Sequence, residues 1–237
     1  MSEVFFNGPA GRIEGKIAES NNPKAPIALV LHPHPQYGGT MKNTVVHNIC
    51  KTLFYNDFTV LRINFRGVGR SLGEYDGGVG EMTDAATALD WLQINYPMSK
   101  VNLIAGFSFG AWIAMQLIMR RPEITNFIAV SPPVNKYDFS FLSPCPIPGL
   151  ILQGGKDSVV TEESVHELAQ RLKQKNIDVE YRVVNNADHF FREKIDLLAA
   201  EMDHYLKSIF SHQIGKASEK NDDKEKAKPA VKKVFLS

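Results

Sequence analysis

The segment Gly106-Phe107-Ser108-Phe109-Gly110 holds a serine between two glycines, at the spacing Gly-x-Ser-x-Gly. It follows the short apolar run 101–105 and opens the apolar run 111–119. A sharp strand-to-helix turn projects the residue at its tip into open space and leaves no room for side chains on either flank. The same turn sets the backbone N–H of Phe109, and the positive end of the helix, beside the serine oxygen. That arrangement suits nucleophilic attack on an acyl carbon. Ser108 would be the nucleophile and Phe109 N–H one donor to the oxyanion.

A serine hydroxyl is a weak nucleophile at neutral pH and needs a base. Of seven histidines, His189 is the best placed. It lies in a polar loop, 185–191, directly after the apolar run 179–184. Loops at the carboxyl ends of parallel strands meet at one edge of a sheet, so this loop can face Ser108. His47, His166, His204 and His212 fall within or near helical segments and read as partly exposed helix residues. The base in turn needs an acid that fixes its tautomer and stabilises the imidazolium. Asp157 lies in the short glycine-rich loop after the run 150–152, and Asp138 in the loop after 127–130. The shorter loop favours Asp157. Asp188, adjacent to His189, is poorly placed to reach its neighbour's ring.

A second oxyanion donor is expected from the loop after the run 27–31, which reads His32-Pro33-His34-Pro35-Gln36. Proline has no N–H, so the donor is His34, Gln36 or a later residue, with His34 favoured by position. The prolines also stiffen the loop. The same histidines allow a rival reading, in which His32 and His34 join His189 and an aspartate as metal ligands. It leaves Gly-x-Ser-x-Gly unexplained, so no metal and no cofactor are expected.

These residues need a scaffold that brings loop ends together. The runs 27–31, 58–63, 101–105, 127–130, 150–152 and 179–184 are nearly continuous in apolar residues. Runs of that kind mark strands covered on both faces, as in a parallel sheet. Val4 to Phe6 and the alternating Ile13, Gly15 and Ile17, joined by Gly8-Pro9-Ala10-Gly11, predict an antiparallel pair ahead of them. Helical stretches lie between the strands. Met82, Ala85, Ala86, Leu89 and Leu92 share one helix face, the stretch 111–119 predicts a buried central helix, and Thr161-Glu162-Glu163 opens another. The alternation predicts an α/β domain with a doubly wound sheet over residues 1–211. Residues 212–237 are rich in charge and poor in apolar groups, which predicts a disordered tail.

Composition narrows the function classes. The 237 residues are 43% hydrophobic with a formal net charge of +1, so no global field favours nucleic acid. No apolar run reaches the roughly 20 residues of a membrane span. Two cysteines, Cys50 and Cys145, and an N-terminus without a signal-peptide pattern predict a cytoplasmic protein.

Taken together, His32-Pro33-His34-Pro35 with Gly38-Gly39-Thr40-Met41, the stretch 64–71, Gly106-Phe107-Ser108-Phe109-Gly110, Gly155-Lys156-Asp157 and Ala187-Asp188-His189-Phe190-Phe191 resemble a group of small bacterial α/β-hydrolases. These are related to the serine-peptidase-like and dienelactone-hydrolase-like branches, and the match spans about residues 4–210. The resemblance implies an α/β-hydrolase fold: an eight-stranded, mostly parallel sheet with helices on both faces. It implies triad roles for Ser108, Asp157 and His189, and a structural anchor in Arg66. Only residues 131–146 separate two of the strands where many relatives insert a lid, so an open, lidless site is expected. The expected activity is hydrolysis of an ester or thioester of a small or exposed acyl group. A peptidase or amidase, or a non-catalytic interaction module with the same fold, are the alternatives. The substrate and oligomeric state are not legible.

Overall fold

The computed structural model of the protein describes residues 1–142, 145–173 and 178–209. The tail expected over 212–237 lies outside the described residues. Chain order runs β1 (Ser2–Gly8), β2 (Gly11–Ala18), β3 (Ile27–Leu31), α1 (Thr44–Tyr55), β4 (Thr59–Ile63), α2 (Val79–Asn95), β5 (Asn102–Phe107), α3 (Phe109–Ile118), β6 (Asn126–Val130), β7 (Gly149–Gly154), α4 (Glu162–Lys173) and β8 (Val179–Val184). A fifth helix, α5, occupies 195–209.

The strands form one eight-stranded sheet in the order β1-β2-β4-β3-β5-β6-β7-β8. Only β2 runs against its neighbours, pairing antiparallel with β1 and β4. Every residue of β3, β4, β5, β6 and β7 is buried, which is why those strands read as nearly continuous apolar runs. Side chains from α2, α3 and α4 build the core on one face of the sheet. Val45, Val46 and Ile49 of α1, with Leu198 and Met202 of α5, build it on the other.

The strand order reverses beside β3. The chain passes from β3 outward to β4, then returns to β5 on the other side of β3. Such a switch point opens a crevice at the carboxyl ends of the two strands, where ligands bind in sheets of this kind. The loops bearing His34 and Ser108 both start there. Between β6 and β7 the described residues hold a single short turn of 3₁₀ helix, Ser140–Leu142, and no lid domain. Among the described residues no helix is long and apolar enough to cross a membrane.

Candidate active site

Ser108 sits at the tip of the turn from β5 into α3 with φ 52° and ψ −118°. An L-residue adopts that conformation only where its surroundings enforce it, at a cost of roughly 1–3 kcal/mol. Ser108 N–H donates to the Val130 carbonyl of the neighbouring strand at 2.8 Å. A Cβ on Gly106 would lie 2.2 Å from the Gly110 carbonyl oxygen, and one on Gly110 would lie 2.4 Å from the Leu31 carbonyl oxygen. The two glycines are thus spaces that let the helix start press against β5 and β3. The serine oxygen is left partly exposed at the mouth of the crevice.

His189 and Asp157 arrive from the loops after β8 and β7. The loops are stitched together: Gly155 N–H donates to the Val184 carbonyl at 3.0 Å and Lys156 N–H to the Ala187 carbonyl at 2.9 Å. A Cβ on Gly154 would meet the Ala187 carbonyl oxygen at 2.6 Å, so only glycine allows the approach. The result is a hydrogen-bonded chain. Ser108 Oγ lies 3.2 Å from His189 Nε2, and His189 Nδ1 lies 2.7 Å from Asp157 Oδ2. Asp157 Oδ2 also accepts from Gln153 Nε2 at 3.1 Å, while its Oδ1 accepts from the N–H groups of Val159 and Val160 at 2.9 and 2.8 Å. Burial alone would raise the Asp157 carboxyl. The hydrogen bonds from His189, Val160 and Val159 outweigh it and hold the group below the usual aspartate value, as a carboxylate.

The rivals are elsewhere. Asp138 turns its carboxylate onto Ser140, accepting from its N–H at 2.8 Å and its hydroxyl at 2.7 Å. Asp188 accepts from Arg192 N–H at 2.9 Å and pairs with the same residue's guanidinium. Arg66 makes a two-pronged bond to buried Asp84 of α2, at 3.0 and 2.8 Å, and so pins the loop after β4.

The His34 loop folds into a short 3₁₀ turn, Pro35–Tyr37. Gln36 N–H is taken by His34 Nδ1 at 3.2 Å. The N–H of His34 has no hydrogen-bond partner among the described residues. Neither has that of Phe109, which as the first residue of α3 has no partner within the helix. The His34 side chain bonds through Nε2 to the Tyr75 hydroxyl at 3.2 Å. Burial, and then the charge of Lys136, depress its pKa.

His32 is fully buried, and both its ring nitrogens are engaged. Phe65 N–H donates to Nε2 at 3.1 Å and Nδ1 lies 2.6 Å from the Pro33 carbonyl oxygen. Burial pushes its pKa down to about 4. A ring with neither nitrogen free is not a metal ligand, and among the described residues no three His, Cys, Asp or Glu side chains gather as a metal site would require.

Ser108, His189, His34 and Phe109 line a cavity of about 400 Å³. Tyr37, Tyr137 and Phe190 form aromatic walls, and Lys136 stands in the lining as an exposed cation. Four residues were missed by sequence reasoning: Gln153, Tyr75, Asn64 and Glu14. Asn64 accepts from Met41 N–H at 2.9 Å and donates to Glu14 at 2.7 Å, tying the far end of the His34 loop to β2. These bonds span 23 and 50 residues, and no local pattern signals them.

Residues 74–235 match the model of the dienelactone hydrolase family. The chain belongs to that family. An uncharacterized protein of Rickettsia prowazekii (strain Madrid E) is 56% identical over 241 residues, covering 100% of both sequences. A crystal structure from Agrobacterium tumefaciens, of a protein of unknown function assigned to the α/β hydrolases, matches with TM-score 0.86 and 50% identity, over 89% of this chain and 97% of that one. A serine hydrolase without a lid from Xanthomonas campestris matches with TM-score 0.78 and 28% identity, over 87% of this chain and 94% of that one. Within the dienelactone hydrolase family this chain is therefore a hydrolase with the α/β-hydrolase fold, and its described residues hold no lid domain.

Proposed function

We propose that the protein is a serine hydrolase that cleaves a carboxylic ester or thioester of a small or surface-exposed acyl group through an acyl-serine intermediate. The hydrogen-bonded chain Ser108–His189–Asp157, opening into a lidless aromatic cavity, carries this reading. His189 Nδ1–H donates to Asp157, so Nε2 is free to take the proton from Ser108 Oγ as that oxygen attacks the acyl carbon. The carbonyl oxygen becomes an oxyanion as the tetrahedral intermediate forms. The unpartnered N–H groups of Phe109 and His34 stabilise it. His189 then returns the proton to the departing alcohol or thiol, and a water activated by the same imidazole releases the acid. Asp157, fixed by three other donors, keeps the ring in this tautomer throughout.

A fluorophosphonate probe tests the central claim. The native protein should gain the mass of one adduct on Ser108, and Ser108→Ala should gain none and lose kcat by ~10⁶-fold on short nitrophenyl esters. A native protein that neither labels nor turns over such esters would sink the reading. Aminoacyl anilides, run beside the esters, separate esterase from amidase activity.

A further inference from the structure

The proposed chemistry asks one loop N–H, that of His34, to aim at the place where charge develops. In a trans peptide the N–H and the C=O lie antiparallel in one plane, so whatever grips the carbonyl aims the N–H. The plane that carries the His34 N–H carries the Pro33 carbonyl. That carbonyl oxygen lies 2.6 Å from His32 Nδ1, and His32 is its one hydrogen-bond donor among the described residues. Resting on the serine-hydrolase reading above, we propose that His32 is a positioning residue for the oxyanion site: its Nδ1–H grips the Pro33 carbonyl and thereby points the His34 N–H into the cavity.

The direction of the proton follows from the other side of the ring. Phe65 N–H points at Nε2 from 3.1 Å. A backbone amide can only donate, so Nε2 must be bare and the proton must sit on Nδ1. His32 is thereby a donor exactly where a carbonyl needs one, and the tautomer is set from a different strand end, since Phe65 follows β4. The ring has no freedom to leave. It is fully buried and packs against the Phe65 ring at 4.6 Å between centroids.

The planes on either side are held as well. Pro33 has a fixed φ. The His34 carbonyl accepts from the N–H groups of Tyr37 and Gly39, at 3.1 and 3.0 Å. Gly39 passes so close that a Cβ there would lie 2.0 Å from the Pro33 carbonyl oxygen. The Pro33–His34 plane is therefore packed from below, stiffened ahead and behind, and oriented by a single hydrogen bond from His32.

Two substitutions separate positioning from mere core filling. The amide nitrogen of asparagine reaches the place of Nδ1, whereas the amide of glutamine reaches the place of Nε2. His32→Asn keeps a donor for Pro33 and loses the acceptor for Phe65. His32→Gln keeps the acceptor and loses the donor. Both should lower Tm. His32→Gln should lower kcat on nitrophenyl acetate ~10–100-fold with KM changed less than ~3-fold, and weaken a trifluoromethyl ketone inhibitor in parallel. His32→Asn should recover most of that loss. Equal losses in the two variants, or a kcat that follows Tm, would overturn the proposal. A measurement on the native protein guards against a variant that does not fold: nitrogen-15 NMR of the imidazoles should show His32 protonated at Nδ1, and an Nε2–H signal would overturn it directly. A native enzyme that fails on esters and fluorophosphonate sinks the serine-hydrolase reading. One that works on both, with His32→Gln as fast as the native enzyme, sinks only this inference.

Discussion

Two imidazoles sit at strand ends on the same edge of the sheet, and they differ in what their Nε2 faces. His189 and His32 are both buried, and each is bracketed by one partner per ring nitrogen. In His189 the partners are a carboxylate and a hydroxyl, and the hydroxyl can surrender its proton. In His32 they are a carbonyl and a backbone amide, and the amide cannot. In the chemistry proposed above, the same ring in the same tautomer is thus a base in one loop and a brace in the other. A buried histidine is classified by the acidity of the group on its far nitrogen, and burial alone says nothing about its role.

The sharpest way to break this comparison is to remove what orders the His189 tautomer. Asp157→Asn places an amide opposite Nδ1, which allows the ring to move its proton to Nε2 and lose its ability to accept from Ser108. The expected fall in kcat is ~10⁴-fold, measured by steady-state kinetics on a short nitrophenyl ester, with the fold retained by circular dichroism. A fall under tenfold would mean that Asp157 does not order the base.

The second prediction concerns stability. His32 has a folded pKa of about 4, and an unfolded histidine titrates near 6.5. Between those values the unfolded chain binds a proton that the native protein refuses, so acid favours unfolding across that window. Above about pH 6.5 neither state is protonated at this ring, and the penalty is absent. Denaturant melts at pH 7 and pH 4.5 should show the native protein losing more stability than His32→Gln. His34 and His47 contribute in the same direction to both proteins, so the difference isolates His32. Identical losses would contradict the depressed pKa.

The smallest effect belongs to the cavity rim. Among the described residues Lys136 forms no ion pair with a carboxylate, and no acidic side chain shares the cavity lining with it. Its charge is exposed and screened, worth up to about 1 kcal/mol. Lys136→Ala should lower kcat/KM about 2–5-fold for a nitrophenyl ester with a carboxylate on its acyl chain, at low salt, with less change for its neutral analogue. Equal changes on both would assign Lys136 to packing.

Much of the architecture was legible because it repeats locally. The runs within β3, β5, β6 and β7 are apolar at nearly every position, and the Gly-x-Ser-x-Gly turn carries its own steric reason. That Asp157 and His189 come together beside Ser108 was legible from their places after β7 and β8. The range of α1 was harder: Val45, Val46, Ile49 and Leu53 recur at helical spacing, but the β-branched residues among them have low helix propensity. The 3₁₀ turn, which folds Gln36 N–H back onto His34 Nδ1, was not legible in the sequence, and it is what favours His34 over Gln36 in the proposed role. The role of His32 was open for a different reason. A histidine two residues from another looks like half of a ligand pair until the strand that occupies its second nitrogen is known, and Phe65 lies 33 positions away. Glu14, Asn64 and Gln153 escaped similarly, as polar residues whose partners are assembled only by the sheet.

The short link between β6 and β7 has a kinetic consequence. In the proposed chemistry no described segment has to be peeled back before a substrate meets Ser108, and no described lid offers an apolar underside for an oil surface to uncover. Turnover should track the concentration of dissolved substrate monomers and pass smoothly through the solubility limit, without the surge that interfacial lipases show when droplets form.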